Sequence, residues 1–159
     1  DYPANFMMVA SMNPCPCGYF GDESGRCTCT PGMISRYQAR ISGPLMDRID
    51  LNIKVKPVER EMLVSGVKGE RSADIARRVL LAREIQMERF KDEGIFTNAQ
   101  MDAAQLSRYC LLGEEERAFM GNIMEKLSLS ARGYGRILRI ARTIADMEGG
   151  KRVDIARMS

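Results

Sequence analysis

The chain has 159 residues, 45% of them hydrophobic and 28% charged, with a formal net charge of +3. That is an ordinary globular composition, and it excludes a disordered or fibrous chain. No apolar run reaches the roughly 20 residues that span a bilayer, and Asp1-Tyr2-Pro3-Ala4-Asn5 lacks the basic and apolar regions of a secretory leader, so a cytoplasmic protein without membrane association is expected.

Histidine and tryptophan are absent and aromatics make up 6%. This removes imidazole-based nucleophilic and metal sites, and base-stacking platforms are a poor basis for any nucleic-acid contact. In chain order, Phe6-Met7-Met8-Val9-Ala10-Ser11 is a short apolar run that predicts a buried strand of a parallel sheet. Asn13-Pro14 ends it, because a residue before proline is pushed out of helical geometry. Cys15 to Pro31 is rich in Cys, Gly and Pro and predicts a loop or small knob. A short helix over Gly32 to Ile41 is broken by Ser42-Gly43-Pro44. Ile49 to Val55 alternates apolar and polar residues and predicts a second, half-buried or edge strand, closed by Pro57.

The remainder reads as helix. Ser72 caps a long helix to about Glu93, with Ile75, Val79, Ala82, Ile85, Met87 and Phe90 as its apolar positions and Gly94 as its stop. A short helix spans about Ala103 to Cys110, in which Cys110 is a core residue. Another runs from Glu114 to Lys126, its three opening glutamates suited to the positive end of the helix dipole. Ser130 caps a fourth with a stripe of Ile137, Leu138, Ile140, Ala141, Ile144, Ala145 and Met147, ended by Gly149-Gly150. Two unequal parts follow: 1–57 as the end of an α/β domain, 58–70 as a linker and 71–159 as a helical bundle. The last 32 residues hold seven Lys/Arg against three Asp/Glu, which is either a solvated helix face or a set of arginines aimed at phosphate.

Three side chains stand out. Asn13 lies at the C-terminal end of a strand, where open α/β sheets bind ligands, and an amide there can hold a water; the simpler reading is a turn asparagine. Arg48 precedes the second strand in a surface segment, from which it can reach the γ-phosphate of a nucleotide held by a neighbouring subunit. Its bland alternative is a surface ion pair with Asp47 or Asp50, worth roughly 0–1 kcal/mol. Arg132 falls in the first turn of the fourth helix, where the dipole disfavours a cation. Arg136 and Arg139 extend a basic face from it.

Cys15-x-Cys17 and Cys27-x-Cys29 are two pairs in one short loop. Four thiolates there suit tetrahedral Zn²⁺ as a structural ion, with no position left for water. The common knuckle is Cys-x-x-Cys, so Cys-x-Cys needs an unusual turn, which Gly18 and the prolines can supply. Zinc and four reduced, unliganded thiols both remain open.

Met8 to Gly18, then Cys27-Thr28-Cys29-Thr30-Pro31, then Arg40 to Leu51, then Leu129-Ser130-Ala131-Arg132-Gly133-Tyr134 follow one another in the order found in magnesium-chelatase-like AAA+ ATPases of the ComM/YifB type. The resemblance covers essentially the whole chain. It implies a mainly α chain: the C-terminal remnant of an AAA+ α/β core (two strands, one helix and a Cys-rich loop) followed by a helical lid. It implies that Asn13 is the sensor 1 residue positioning the attacking water, Arg48 an arginine finger acting in trans, and Arg132 the sensor 2 residue that contacts nucleotide. It further implies ATP and Mg²⁺ as cofactors of the intact protein, a homo-oligomeric, hexameric ring, and DNA as the partner, in competence and branch migration.

The sequence contains no Gly-x-x-x-x-Gly-Lys-[Ser/Thr] loop and no strand ending in paired carboxylates before Asn13. It is therefore expected to be a C-terminal fragment that does not hydrolyse ATP alone. A chelatase subunit inserting metal into a tetrapyrrole is the competing enzyme reading. A non-catalytic zinc-knuckle module that binds DNA or protein is the competing non-enzyme reading.

Overall fold

The computed structural model describes residues 6–46, 48–55, 58, 64–66 and 68–158. Among these residues all regular structure is helical: α1 (Pro31–Gln38), α2 (Gly43–Met46), α3 (Ser72–Arg89), a 3₁₀ turn (Asn98–Gln100), α4 (Ala103–Tyr109), α5 (Glu114–Lys126), α6 (Ala131–Met147) and α7 (Ile155–Met158). The chain divides into two compact units, Asp1–Ser65 and Gly66–Ser159. The connection expected over 58–70 lies partly outside the described residues, at 59–63 and 67.

Neither expected strand forms. Phe6, Val9, Ile53 and Val55 are 74%, 84%, 80% and 85% exposed, and no neighbouring backbone completes a ladder with either segment among the described residues. Apolar alternation specifies a face, but a strand also needs a paired edge, and the described part of the first unit offers none. Its buried apolar side chains are Cys15 and Ile34. Helix α1 starts at Pro31, whose fixed φ suits the first helical position, and Thr30 caps it by accepting from the Met33 N–H at 3.4 Å. Gly43-Pro44, read as a breaker, instead opens the one-turn α2, with Ser42 Oγ accepting from the Leu45 N–H at 3.3 Å.

In the second unit, α6 is the central element, packed against α3, α4, α7 and the 3₁₀ turn, while α5 packs on α7. Ser130 caps α6 by accepting from the Gly133 N–H at 3.2 Å, and Gly149 at φ +69° follows its end. The core gathers Phe90, Met101, Leu106, Met120, Leu138 and Val153 with Cys110, Ala141 and Met158. Phe90 meets Tyr109 edge-to-face at 5.4 Å between ring centroids. Gly135 gives α4 its close approach to α6, since a Cβ there would stand 3.3 Å from Leu106 Cδ1.

Helix α3 departs from its expected form at both ends and along its face. Arg71 is the N-cap residue, Ser72 is the first helical one, and no side chain caps this end. The helix stops at Arg89, and Gly94 (φ +69°) ends the following turn rather than the helix. Ala82 and Phe90 are buried as the pattern predicts, whereas Ile75, Val79, Ile85 and Met87 are exposed.

Candidate metal centre and phosphate-responsive residues

The four loop cysteines converge. Cys15 Sγ lies 3.3 Å from Cys17 Sγ and 3.9 Å from Cys27 Sγ, with Cys17 and Cys27 3.7 Å apart. All four ligand atoms, Cys29 included, fall within 4.8 Å of one another. Tetrahedral Zn–S bonds of about 2.3 Å separate sulfurs by about 3.8 Å, so the donor set fits one soft tetrahedral cation. The Cys-x-Cys geometry is achieved by a turn in which the Gly18 N–H donates to the Cys15 carbonyl at 3.0 Å. Gly18 sits at φ +85°, a conformation favouring glycine.

Crowding four thiols also splits their acidities. Backbone hydrogen bonds at Tyr19 and Thr28 bring Cys17 down to about 6. At Cys15 burial and the Cys17 thiol act upward, yet hydrogen bonds from the backbone at Phe20 and from Cys29 leave it below its usual value. Cys29 is pushed up to about 12: its backbone hydrogen bond with Cys17 pulls downward, but burial and the Cys17 and Cys15 side chains outweigh it. Cys27 is raised by the same balance. Thiolates so placed repel one another, and a cation among them reverses the conflict. The fifth cysteine, Cys110, is different in kind. It is buried in the helical core, its thiol pushed up to about 11 by burial and donating to the Leu138 carbonyl at 3.7 Å.

Asn13 is exposed and lies two residues before Cys15, not at the end of a strand. Arg48 is exposed and its Nη1 donates to the Pro44 carbonyl at 2.9 Å. Asp47, one partner expected for it, lies outside the described residues, and Arg48 forms no ion pair with Asp50 among the described residues. Arg132 is exposed in the first turn of α6 and has no hydrogen-bond or ion-pair partner among the described residues.

The structure thus brings together the four cysteines, with Asn13 beside them. Arg48 belongs to the first unit and Arg132 to the second. Arg139, expected to share a basic face with Arg132, is engaged within the fold instead. Its Nε and Nη2 donate to the Met101 carbonyl at 3.1 and 2.6 Å.

Sequence reasoning missed a buried polar network. The Asp146 carboxylate, 2% exposed, accepts from both Nη atoms of Arg89, at 2.7 Å for Nη1, and from Asn98 Nδ2 at 2.8 Å. It also accepts from Arg142 Nε and Nη2 at 3.1 and 2.8 Å. Arg142 in turn donates to the Gly150 and Lys151 carbonyls at 2.6 and 2.9 Å. Burial acts to raise the Asp146 carboxyl, but Arg89, Asn98 and the two guanidinium charges hold it below the usual carboxylate range. The signal available was Arg142 and Asp146, one helical turn apart, flanked by the buried Ala141 and Ala145.

Both units match known protein families by sequence. Residues 69–159 match the family model described as magnesium chelatase, subunit ChlI C-terminal, and residues 1–63 match that of magnesium chelatase, subunit ChlI. The chain belongs to this magnesium-chelatase-like family. It is 40% identical over 154 residues to the competence protein ComM of Haemophilus influenzae, covering 96% of this chain and 29% of that protein. It is 38% identical over 149 residues to YifB of Salmonella typhimurium, with 92% and 28% covered. The chain spans less than a third of the length of these relatives. Among the described residues no helix is long and apolar enough to cross a membrane.

Proposed function

We propose that this chain is the nucleotide-responsive C-terminal part of a cytoplasmic, ring-forming AAA+ ATPase that acts on DNA. The observation that carries the reading is Arg132. It stands exposed and unpartnered among the described residues, at the helix end where the dipole disfavours a cation, while Arg89, Arg139, Arg142 and Arg157 of the same unit are all engaged. An anion between that helix end and the guanidinium resolves the conflict, and a nucleotide γ-phosphate is such an anion. In this reading Arg132 is sensor 2, Arg48 is the finger supplied to a neighbouring subunit's nucleotide, and Asn13 holds the attacking water. Mg-ATP is bound by parts of the intact protein outside this chain. A homo-oligomeric ring, hexameric by the resemblance, goes with a finger that acts in trans.

Cys15, Cys17, Cys27 and Cys29 hold one structural Zn²⁺ in the same reading. Its ligand set is complete, so it supplies no catalytic water. DNA as the partner is what the resemblance to ComM/YifB proteins implies, and the likeness to the Haemophilus influenzae relative adds only its name, that of a competence protein.

The test is the ATPase rate of the full-length protein with and without branched DNA. Stimulation by DNA is expected, with Arg48→Ala and Arg132→Ala each lowering the rate on the order of 10³-fold. A rate indifferent to both arginines overturns the assignment. A rate sensitive to them but indifferent to DNA favours the second reading, a chelatase-type motor driving metal insertion, which the descriptions of both matching family models support.

A further inference from the structure

We infer that the cysteine knuckle is the device that positions Asn13, so that metal loading and the placement of this carboxamide form a single equilibrium. The inference rests on the metal reading just given and extends it to a residue that is not a ligand. Asn13 ends the segment 6–13, which is exposed and forms no strand among the described residues. Three other constraints meet at it.

The first is covalent. Cys15, two residues on, is fully buried among the sulfurs. The second is the turn at Gly18, closed on the Cys15 carbonyl at 3.0 Å. Its α-carbon faces the asparagine: a Cβ at Gly18 would lie 3.8 Å from both Cγ and Nδ2 of Asn13. The third comes from the far side of the knuckle. Helix α1 begins directly after Cys29, with Thr30 as its cap, and its last residue, Gln38, donates through Nε2 to the Pro14 carbonyl at 3.2 Å.

The path from Asn13 therefore runs through Cys15 and Cys17, round to Cys27 and Cys29, along α1 and back to Pro14. Four sulfurs close this circuit. Thiol–thiol contacts alone are weak, whereas metal–thiolate bonds fix the ends of the loop and remove its closure entropy from every later ordering step. With the metal in place the Asn13-Pro14 pair is held from both sides. Without it, the Gln38 hydrogen bond and the turn at Gly18 each have to order a free loop.

The experiment uses the ¹⁵N-labelled 159-residue chain, with the Asn13 carboxamide resonances identified by their loss in Asn13→Asp. Co²⁺ is the optical probe of binding, through its tetrathiolate charge-transfer band, and Zn²⁺ is the ion used for the resonance measurements. One equivalent of Zn²⁺ is expected to shift the Asn13 pair and sharpen it into a single set of resonances, as expected for a group leaving a locally open state. The carboxamide of Asn98, in the helical unit, should stay in place. Gln38→Ala should still bind one equivalent of Co²⁺ while losing most of the Asn13 shift, which separates the clamp from the ligands. Stoichiometric binding with an unmoved Asn13 pair overturns the positioning role and leaves the metal reading intact. Absence of the Co²⁺ band and of any Zn²⁺-induced shift overturns both.

Discussion

The two units are held by different physics. In Gly66–Ser159, side chains from Phe90, which follows α3, through α7 share one apolar core, and a fully partnered carboxylate–guanidinium network lies beside it. In the described part of Asp1–Ser65 the buried apolar side chains are Cys15 and Ile34, and the order comes from turns, one capped helix and the sulfur cluster. Burial scales with the number of elements that can share a face, so a unit with few regular elements needs a covalent or coordinate tie. A single chain can therefore respond to two unrelated stresses, chelation in one unit and loss of packing in the other.

The contrast can be broken most severely by removing the metal proposed for the cysteine cluster. A chelator strong enough to strip the cysteine cluster is expected to abolish protection of the amides around 15–30, leaving the amides of α6 protected; hydrogen exchange resolved by residue measures both. Equal loss in both units would erase the distinction.

Next in size is Asp146→Ala. It leaves Arg89 and Arg142 without their buried counter-charge, and breaking such a pair from one side costs about 3–5 kcal/mol. Urea unfolding followed by helical circular dichroism should show that loss. The native carboxylate also sets a pH dependence. Its folded pKa lies below the unfolded value of about 3.9, so its stabilisation is complete above that value and drains away as pH falls through the folded one. Asp146→Ala should remove this acid-side loss, so that the difference between the two proteins narrows below about pH 4.

A smaller effect sharpens the comparison within α6 itself. Arg139→Ala deletes two charged hydrogen bonds to the Met101 carbonyl and is expected to cost about 1.5–3 kcal/mol. Arg132→Ala, seven residues earlier, should leave the unfolding midpoint unchanged, because that side chain holds nothing in place among the described residues. A destabilised Arg132→Ala protein would count against its reservation for a ligand.

The sequence showed these regions unequally. Helices α4, α5 and α6 were legible because each carries its own boundary chemistry, such as Ser130 at the start of α6 and the glutamate run at Glu114. The cysteine cluster was legible because its members crowd into 15 residues. The two expected strands failed since alternation at Ile49–Val55 encodes a face and says nothing of a partner edge. Ile75, Val79, Ile85 and Met87 show the same gap, with an apolar pattern and no neighbour among the described residues to bury it. The Asp146 network was invisible for a simpler reason. Its partners Arg89 and Asn98 lie 57 and 48 positions away, and only the packing of α3, the 3₁₀ turn and α6 brings them together.

The hydrogen bond between Tyr109 and Glu93 has an optical consequence. The phenol donates to the Glu93 carboxylate at 2.6 Å, and that carboxyl is kept ionised by Tyr109, Gln105 and Arg108. Phenols become much stronger acids on excitation, so a proton acceptor already in contact quenches their emission. The chain has five tyrosines and no tryptophan to mask them. Tyr109 emission is therefore expected to be weak in the folded unit and to rise when the turn carrying Glu93 separates from α4, an ultraviolet reporter of this packing that needs no label.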